Sequence, residues 1–280
     1  MKQINRLDLP NILKKYHISP KKSLGQNFLW DPNILANIVA AAEIPRDAHV
    51  LEIGAGIGTL TRHLAESAQV VKVVEIDRQL LPALEAVLAR YPNVEIIIGD
   101  ILELKTSEIM GVDHYYVVAN IPFYITSILI RKLLESPCKP ARMVLTVQNE
   151  VAKRVCETPG NMSLLALSVQ VYGEPRLEFK IPAGAFYPVP DVDSAVLRID
   201  LYPSPRIPSE QLELFFRLTK AGFHQKRKKM RNAIAEGMHV SAETVEKLLV
   251  VAGIDPASRA QILDIDDWAS IVRVWADKRP

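Results

Sequence analysis

The sequence predicts an α/β fold, in which a mainly parallel sheet with helices on both faces is followed by a small all-helical C-terminal domain. Two observations support this prediction. Short apolar runs alternate with helical patterns from about residue 33 to residue 171, and only helical periodicity follows the proline-rich stretch 202–208. With 280 residues, of which 49% are hydrophobic, the chain is long enough for about two domains with their own cores.

Five apolar, β-rich runs are the predicted strands of the sheet. They lie at residues 50–53, 70–76, 94–98, 115–119 and 143–148. Helices are predicted at 59–67, 80–90, 127–135 and 149–157, and in the C-terminal domain at 209–221, 226–236, 242–252 and 265–276. Ser209 and Ser241 are predicted N-caps in that domain. Ligands of such sheets bind beyond the carboxyl ends of the strands, so residues that follow a strand are the candidates for a site.

Basic residues are concentrated in two places, although the net charge is only +2. The stretch 220–231 has no Asp or Glu and contains Lys220, Lys226, Arg227, Lys228, Lys229 and Arg231. Lys21 and Lys22 belong to a second group near the N-terminus. In a nearly neutral protein such clusters indicate a surface for an anion, most often nucleic acid, although a solvated helix face gives the same pattern.

The sequence also predicts a cytoplasmic protein without a membrane segment. Cys138 and Cys156 show no disulfide or metal-binding spacing. The N-terminus has no signal-peptide core, and no apolar run approaches the roughly 18 residues of a membrane span. The histidines form no cluster, so no metal is predicted.

A glycine-rich loop after the first predicted strand indicates a nucleoside-bearing cofactor. Gly54, Gly56 and Gly58 allow a sharp turn and a close approach of the backbone to a ligand. The third glycine comes one position too early for the fingerprint of dinucleotide-binding enzymes. Glu52 would repel a pyrophosphate but suits the cationic methionine end of S-adenosylmethionine. The loop therefore favours S-adenosylmethionine over NAD, with a purely structural glycine turn as the alternative.

Acidic residues end the next two predicted strands. Glu75 lies about twenty residues after the glycines, where a carboxylate can accept hydrogen bonds from both ribose hydroxyls. Asp77 is the rival for this role, and Glu75 is preferred because it falls at the end of the strand. Asp100 is placed to accept from the adenine amino group, although an Asp after Gly is also common in turns for local reasons.

The tetrapeptide Asn120-Ile121-Pro122-Phe123 follows the fourth predicted strand. Asn120 offers a neutral carbonyl acceptor, the backbone carbonyl of Pro122 a second, and Phe123 a stacking face. Two acceptors on one amino group would localise the lone pair of its nitrogen, so that it can attack a sulfonium methyl group. Together with the glycine loop, the tetrapeptide predicts methylation of an amino group on a flat base.

These motifs and several further stretches resemble one known family, the ribosomal RNA adenine N6-dimethyltransferases of the small-subunit (KsgA or RsmA) type. The further stretches are KSLGQNFL at 22–29, FYPVPDVDS at 186–194, FHQKRKKMRN at 223–232 and AGIDPASRA at 252–260. The resemblance implies a Rossmann-like class I S-adenosylmethionine-dependent methyltransferase sheet. It also implies dimethylation of two adjacent adenosines in the hairpin near the 3′ end of 16S (small-subunit) rRNA, during subunit biogenesis.

Matching positions imply the roles of individual residues. The cofactor would be contacted by Asn27, Leu29, Gly54, Glu75, Asp100 and Asn120. The target base would be held by Asn120, Pro122, Phe123 and Phe186, with the two aromatic rings on its faces. RNA phosphates would be bound by Lys21, Lys22, Lys226, Arg227, Lys228 and Arg231.

Three segments are expected on this basis. Residues 1–32 would be a basic arm and cofactor-closing segment, 33–204 the catalytic domain and 205–280 a helical RNA-binding domain. The expected partner is 16S rRNA within a pre-30S particle, and the protein is expected to act as a monomer.

Two positions depart from the family pattern, which usually has Leu and Tyr where this chain has Ile121 and Phe123. Ile at that position is also typical of the related large-subunit enzymes, whereas the C-terminal stretches look like the small-subunit branch. Two alternatives stay open: an Erm-type 23S rRNA adenine N6-methyltransferase, and a non-catalytic ribosome-assembly or transcription factor on the same fold.

Overall fold

A computed structural model describes residues 4–225 and 227–278, and these residues form two compact units. Unit 1 contains the described residues up to Ala152 together with Arg176–Leu201. Unit 2 contains Lys153–Pro175 and the described residues from Tyr202 onward. Unit 2 therefore draws on the chain from both sides of the predicted boundary at 204/205.

The described residues contain the following strands and helices. The strands are β1 (Phe28–Leu29), β2 (His49–Ile53), β3 (Val70–Glu75), β4 (Val94–Ile98), β5 (Tyr116–Asn120), β6 (Arg142–Gln148), β7 (Gly173–Ile181), β8 (Phe186–Tyr187) and β9 (Ser194–Leu201). The helices are α1 (Leu9–Lys15), α2 (Pro32–Ala42), α3 (Thr61–Ala65), α4 (Leu81–Leu88), α5 (Thr106–Met110), α6 (Thr126–Glu135), α7 (Asn149–Val155), α8 (Leu164–Gln170), α9 (Leu212–Phe223), α10 (Met230–Met238), α11 (Ala242–Val251) and α12 (Ile265–Lys278).

Within the described residues, seven strands form one sheet in the order β4-β3-β2-β5-β6-β9-β7. The pairs from β4 to β6 are parallel, and β9 runs antiparallel to β6. The predicted α/β fold with a mainly parallel sheet is thus confirmed. The strand order reverses direction between β2 and β5, and the crevice beyond their carboxyl ends is where such sheets bind ligands.

The central strands are almost entirely buried, which explains why they appear in the sequence as continuous apolar runs. In β2, Val50 and Leu51 are fully buried, and so are Val117 and Val118 in β5. The preceding helix α2 begins where the Asp31 carboxylate accepts hydrogen bonds from the backbone of Asn33 and Ile34. This cap fixes the point at which the chain leaves β1 and enters the helix.

Strands β7 and β9 have no counterpart among the predicted strands. β7 alternates between half-buried and exposed residues, with buried residues only at its two ends. Such an alternation predicts a strand only weakly when the neighbouring strand is unknown. β9 pairs with β6, which lies about fifty residues earlier in the chain. Its assignment as a strand therefore depends on a long-range contact that local periodicity does not contain.

The N-terminal helix α1 packs into the core of unit 1. Leu9 and Leu13 are buried in one cluster with Ile57, Leu80 and Phe28. The chain that leads to β1 is therefore anchored against the glycine loop and the residue just before α4.

Unit 2 is helical apart from the start of β7, and its core contains the buried side chains of Phe215 and Trp268. The predicted cap Ser241 is confirmed, because its hydroxyl accepts a hydrogen bond from Thr244 N at 3.1 Å. The predicted cap Ser209 is wrong: Ser209–Gln211 form a 3-10 turn, and α9 begins after it.

Among residues 4–225 and 227–278, no helix is both long enough and apolar enough to cross a membrane. The same residues contain no group of three or more His, Cys, Asp or Glu side chains that could hold a metal ion.

Candidate active site

The glycine loop connects β2 to the turn before α3 and adopts backbone conformations that other residues rarely adopt. Gly54 and Gly56 have φ angles of 74° and 60°. A Cβ atom at Gly56 would lie 2.9 Å from Cε1 of Phe28. The loop is thus in direct contact with the segment that contains β1, and only glycine fits this contact.

Glu75 ends β3 beside the glycine loop. Its carboxylate accepts hydrogen bonds from the backbone of Gly56 at 2.9 Å and of Asp77 at 2.8 Å. Burial raises the pKa of Glu75, and these two hydrogen bonds partly oppose that effect. Each oxygen keeps lone-pair capacity, so the carboxylate can accept further hydrogen bonds from a ligand.

Asp77 is engaged with the protein itself. Its carboxylate accepts hydrogen bonds from Lys21 Nζ at 2.7 Å and from Gln26 Nε2 at 2.8 Å. Burial alone would raise the pKa of Asp77, but the bonds from Lys21 and Gln26 outweigh it and lower the pKa. Of the two rivals for the ribose, Glu75 lines the cavity described below and Asp77 does not.

Asp100 follows β4 in a turn. Its Oδ1 accepts a hydrogen bond from Leu102 N at 2.8 Å, so the side chain has the local structural role that an Asp after Gly often has. It also lines the same cavity as Glu75. The two roles are compatible because a carboxylate has about four acceptor sites.

Asn120 is the last residue of β5, and its side chain is oriented by the segment just before β1. Its Nδ2 donates a hydrogen bond to the backbone carbonyl of Asn27 at 3.0 Å. This contact leaves Oδ1 as the acceptor of the amide. The Pro122 carbonyl accepts from Ile125 N at 3.2 Å and keeps one lone pair for a second donor.

Phe123 and Phe186 differ in accessibility. Phe123 is half-buried, whereas Phe186 is only 2% exposed and belongs to the hydrophobic cluster of unit 1. The short pair of β1 and β8 places Phe186 opposite Leu29. Tyr124, next to Phe123, is 61% exposed and lines the same cavity.

One cavity in unit 1 is lined by all nine residues that were predicted to hold the cofactor or the base. They are Asn27, Leu29, Gly54, Glu75, Asp100, Asn120, Pro122, Phe123 and Phe186. They are distant in the sequence. Gly54, Glu75, Asp100 and the tetrapeptide at Asn120 meet because β2, β3, β4 and β5 are parallel neighbours whose carboxyl ends share one edge of the sheet. Asn27, Leu29 and Phe186 lie at the separate antiparallel pair of β1 and β8.

Glu52, which the sequence predicted near the cationic end of the cofactor without assigning it to the binding residues, also lines this cavity. It is 1% exposed, and its Oε2 has no hydrogen-bond partner among the described residues. Burial raises the pKa of Glu52 to about 8; the polar side chain of Thr61 opposes this effect, and the charge of Glu75 adds a smaller increase. A cationic ligand beside this carboxyl would favour its deprotonated form and give the buried Oε2 a partner.

The basic residues divide into paired and exposed groups. Lys21 is bound to Asp77, Lys228 to Glu236 at 2.5 Å and Arg231 to Glu246 at 2.8 Å. Lys22 and Arg227 are exposed and have no ion-pair partner in the part of the chain that the structure describes. Lys226 lies outside the described residues.

Comparisons with known proteins agree over almost the whole chain. A family model described as ribosomal RNA adenine dimethylase matches residues 18–277. The ribosomal RNA small subunit methyltransferase A of Dehalococcoides mccartyi (strain CBDB1) is 42% identical over 267 residues, which are 95% of this chain and 91% of that protein. The enzyme of the same name from Alkaliphilus metalliredigens is 39% identical over 270 residues, 94% of each chain.

Two solved structures share the fold. The 23S rRNA methyltransferase ErmE is 28% identical with a TM-score of 0.73, over 89% of this chain and 99% of that chain. A dimethyladenosine transferase from Plasmodium falciparum is 24% identical with a TM-score of 0.78, over 90% and 98% of the two chains.

Proposed function

This chain belongs to the ribosomal RNA adenine dimethylase family, and from this premise we propose that it dimethylates N6 of two adjacent adenosines in the hairpin near the 3′ end of 16S rRNA. Its methyl donor is S-adenosylmethionine. One observation carries the assignment of the reaction centre: the oriented amide of Asn120 lies in the same cavity as Glu75 and the glycine loop. We propose the small subunit as substrate because the relatives with that name are 39% and 42% identical over nearly the full chain.

The cavity suits the cofactor at several points. Gly54 lets the backbone approach it, Glu75 would accept from its ribose, and Asp100 would accept from its adenine. Asn27 and Leu29 would close over it from the N-terminal side. The buried Glu52 carboxyl, whose Oε2 has no hydrogen-bond partner among the described residues, would face its cationic end. When bound, S-adenosylmethionine supplies an electrophilic methyl group on a sulfonium centre.

Asn120 and Pro122 would prepare the adenine amino group. The amide Oδ1 and the backbone carbonyl can each accept one of its hydrogens, which draws the nitrogen toward a localised lone pair. Asn27 holds the amide in the required orientation, so little reorganisation is needed at reaction. A neutral amide is also less costly to bury than a carboxylate, and the amino group it binds is uncharged.

Phe123 would bind one face of a base that has been taken out of its stack, and Phe186, which is 2% exposed, would have to move to reach the other face. Stacking on an aromatic ring contributes about 1–3 kcal/mol per base. Phe123 has accessible surface for such a contact, while Phe186 forms part of the buried wall beside Leu29.

RNA binding would rest on the basic residues, and the exposed ones support it most directly. Lys22 and Arg227 can reach phosphates without breaking an ion pair. Lys21, Lys228 and Arg231 would have to share their charge with Asp77, Glu236 and Glu246. We place the reaction on a pre-30S particle in the cytoplasm, with the protein acting as a monomer.

Two other functions are less well supported. A 23S rRNA methyltransferase activity would be the activity of ErmE, but ErmE is only 28% identical to this chain. The small-subunit methyltransferase of Dehalococcoides mccartyi is 42% identical to it. A non-catalytic assembly factor would not need Glu75, Asp100 and Asn120 together in one cavity.

Labelled S-adenosylmethionine tests the proposal directly. The protein is incubated with undermethylated small subunits and, separately, with large subunits, and the label is mapped on the RNA. We expect label in the small-subunit hairpin alone. Label on large-subunit RNA, or no transfer to either subunit, would contradict the proposal.

A further inference from the structure

Lys21 and Gln26, at the N-terminal edge of the cavity, are both hydrogen-bonded to the carboxylate of Asp77, which lies two residues after the end of β3. The side chain of Gln26 is held at both ends, since its Oε1 accepts from Lys21 N at 2.7 Å and its Nε2 donates to Asp77 at 2.8 Å. Lys21 Nζ donates to the other oxygen of Asp77 at 2.7 Å. The carboxylate is 4% exposed, so these bonds are shielded from water.

Residues 24–29 form one wall of the cavity. Leu24, Gly25, Gln26, Asn27, Phe28 and Leu29 all line it. Lys22 and Ser23, which follow Lys21, are exposed, so contacts of their own side chains do little to hold the segment in place. The anchor at Asp77 is therefore well placed to decide whether the wall is ordered.

Asp77 is connected to both ends of the reaction site. On one side its backbone N–H donates to Glu75, the residue proposed to bind the ribose. On the other side it holds Gln26, and the carbonyl of the next residue, Asn27, accepts the hydrogen bond that orients Asn120. One anchor thus supports both the cofactor acid and the amide at the reacting amino group.

We propose that Asp77 is a positioning residue that latches the segment 21–29 over the cofactor cavity, with Lys21 and Gln26 as its partners. The inference rests on the proposed function of the cavity and deepens it. It assigns Lys21 a task at the cofactor site, in place of a phosphate contact. The latch raises cofactor affinity because it orders the closing wall before the ligand arrives.

Calorimetric titration with S-adenosylmethionine tests the latch without an activity assay. Asp77→Asn keeps the size of the side chain and an acceptor for the backbone N–H of Gln79, but it loses the charge that Lys21 requires. Lys21→Met loses the ion pair from the other side, while Lys21→Arg keeps it. We expect a Kd about 10-fold higher for Asp77→Asn and Lys21→Met, from the loss of a charge-assisted bond, and a near-native Kd for Lys21→Arg.

Two control variants match these substitutions at exposed positions. Asp47→Asn and Lys14→Met remove the same charges from unit 1 without touching the latch. They should bind the cofactor with the wild-type Kd. The double variant of Lys21→Met and Asp77→Asn should have a Kd for S-adenosylmethionine no higher than that of whichever single variant binds it more weakly. Both changes break the same interaction, so their effects should not add.

Hydrogen exchange in the presence of saturating S-adenosylmethionine provides a second readout. Amides of residues 22–29 should exchange faster in Asp77→Asn and Lys21→Met, while the sheet keeps its protection. A merely structural loss of stability would instead lower protection throughout unit 1. RNA binding in both variants should keep the salt dependence of the wild type.

The outcomes separate the latch from the function it serves. Wild-type protein that does not bind S-adenosylmethionine would overturn the proposed function. A wild-type protein that binds it, with unchanged Kd in both latch variants, would overturn the latch alone. If RNA binding by Lys21→Met had a shallower salt dependence and its cofactor affinity were unchanged, Lys21 would contact RNA phosphates and the latch would be refuted.

Discussion

Gly56→Ala tests whether the glycine loop and the closing segment are fitted to each other. Gly56 has a φ angle of 60°, and an added Cβ would lie 2.9 Å from Cε1 of Phe28. Phe28 is only 6% exposed, so its ring cannot swing into solvent to make room. Alanine should therefore strain the loop and push the closing segment away from the cavity.

The expected cost has two parts. A left-handed backbone costs an alanine about 1–2 kcal/mol, and overpacking of a buried contact typically costs about 1–3 kcal/mol. The free energy of unfolding should fall by about 2–5 kcal/mol in Gly56→Ala. Gly111 offers a matched control, because its φ angle is 64° and no atom lies within 4 Å of an added Cβ. Gly111→Ala should lose only the backbone part, about 1–2 kcal/mol.

Chemical denaturation measures the stability of both variants, and calorimetry measures their affinity for S-adenosylmethionine. We expect Gly56→Ala to bind the cofactor at least about tenfold more weakly, which corresponds to about 1.4 kcal/mol. Gly111→Ala should bind it like the wild type. If the two variants were equally stable and bound the cofactor equally well, the contact between Gly56 and Phe28 would have no role in closing the cavity.

Three further predictions follow from the site. Asn120→Ala should slow methyl transfer by roughly 100-fold or more in a single-turnover assay, while the chain still folds; near-native transfer would refute the role of the amide. Burial raises the pKa of Glu52 to about 8 from 4.5, so the native state binds a proton there that the unfolded chain has lost. The contribution of Glu52 to stability should therefore fall as the pH rises from about 4.5 to about 8, and denaturation of Glu52→Gln should show a flatter profile in that range. Lys22→Gln with Arg227→Gln should weaken RNA binding and reduce its salt slope by roughly 0.7–0.9 per cation; an unchanged slope would remove both from the interface.

The sequence indicated which residues lie together at the carboxyl edge of the sheet because that edge depends on local signals. β2, β3 and β5 are largely buried apolar runs, whereas β4 is only partly buried. Glu75 and Asn120 are the last residues of β3 and β5, and Asp100 lies two residues after the end of β4. Glu75, Asp100 and Asn120 therefore meet in one cavity as soon as the strands are parallel neighbours.

The remaining features depend on contacts between distant parts of the chain. The bond from Lys21 to Asp77 spans 56 residues, and neither residue type by itself indicates the pairing. The same limit applies to β9, whose partner strand lies far upstream. The burial of the Glu52 carboxyl, whose Oε2 has no hydrogen-bond partner among the described residues, also results from packing. The position of Glu52 before the glycine loop already suggested a cationic neighbour.

The positions that depart from the family pattern keep the chemistry intact. Phe123 retains a ring with accessible surface at the cavity, and stacking does not need a hydroxyl group. Ile121 is 2% exposed, so it contributes to packing behind the tetrapeptide. Neither residue alters the two oxygen acceptors proposed for the amino group.

The identity of the methylated atom tests the central claim most directly. Undermethylated small subunits are incubated with the protein and S-adenosylmethionine, the hairpin fragment is isolated, and its nucleosides are identified by mass spectrometry. At the time at which the wild type has just completed transfer, we predict N6,N6-dimethyladenosine at two adjacent positions with the wild type and unmodified adenosine at both with Asn120→Ala. Methylation of a ring atom, or dimethylation that persists in Asn120→Ala, would contradict the assignment of this cavity as the centre of amino-group transfer.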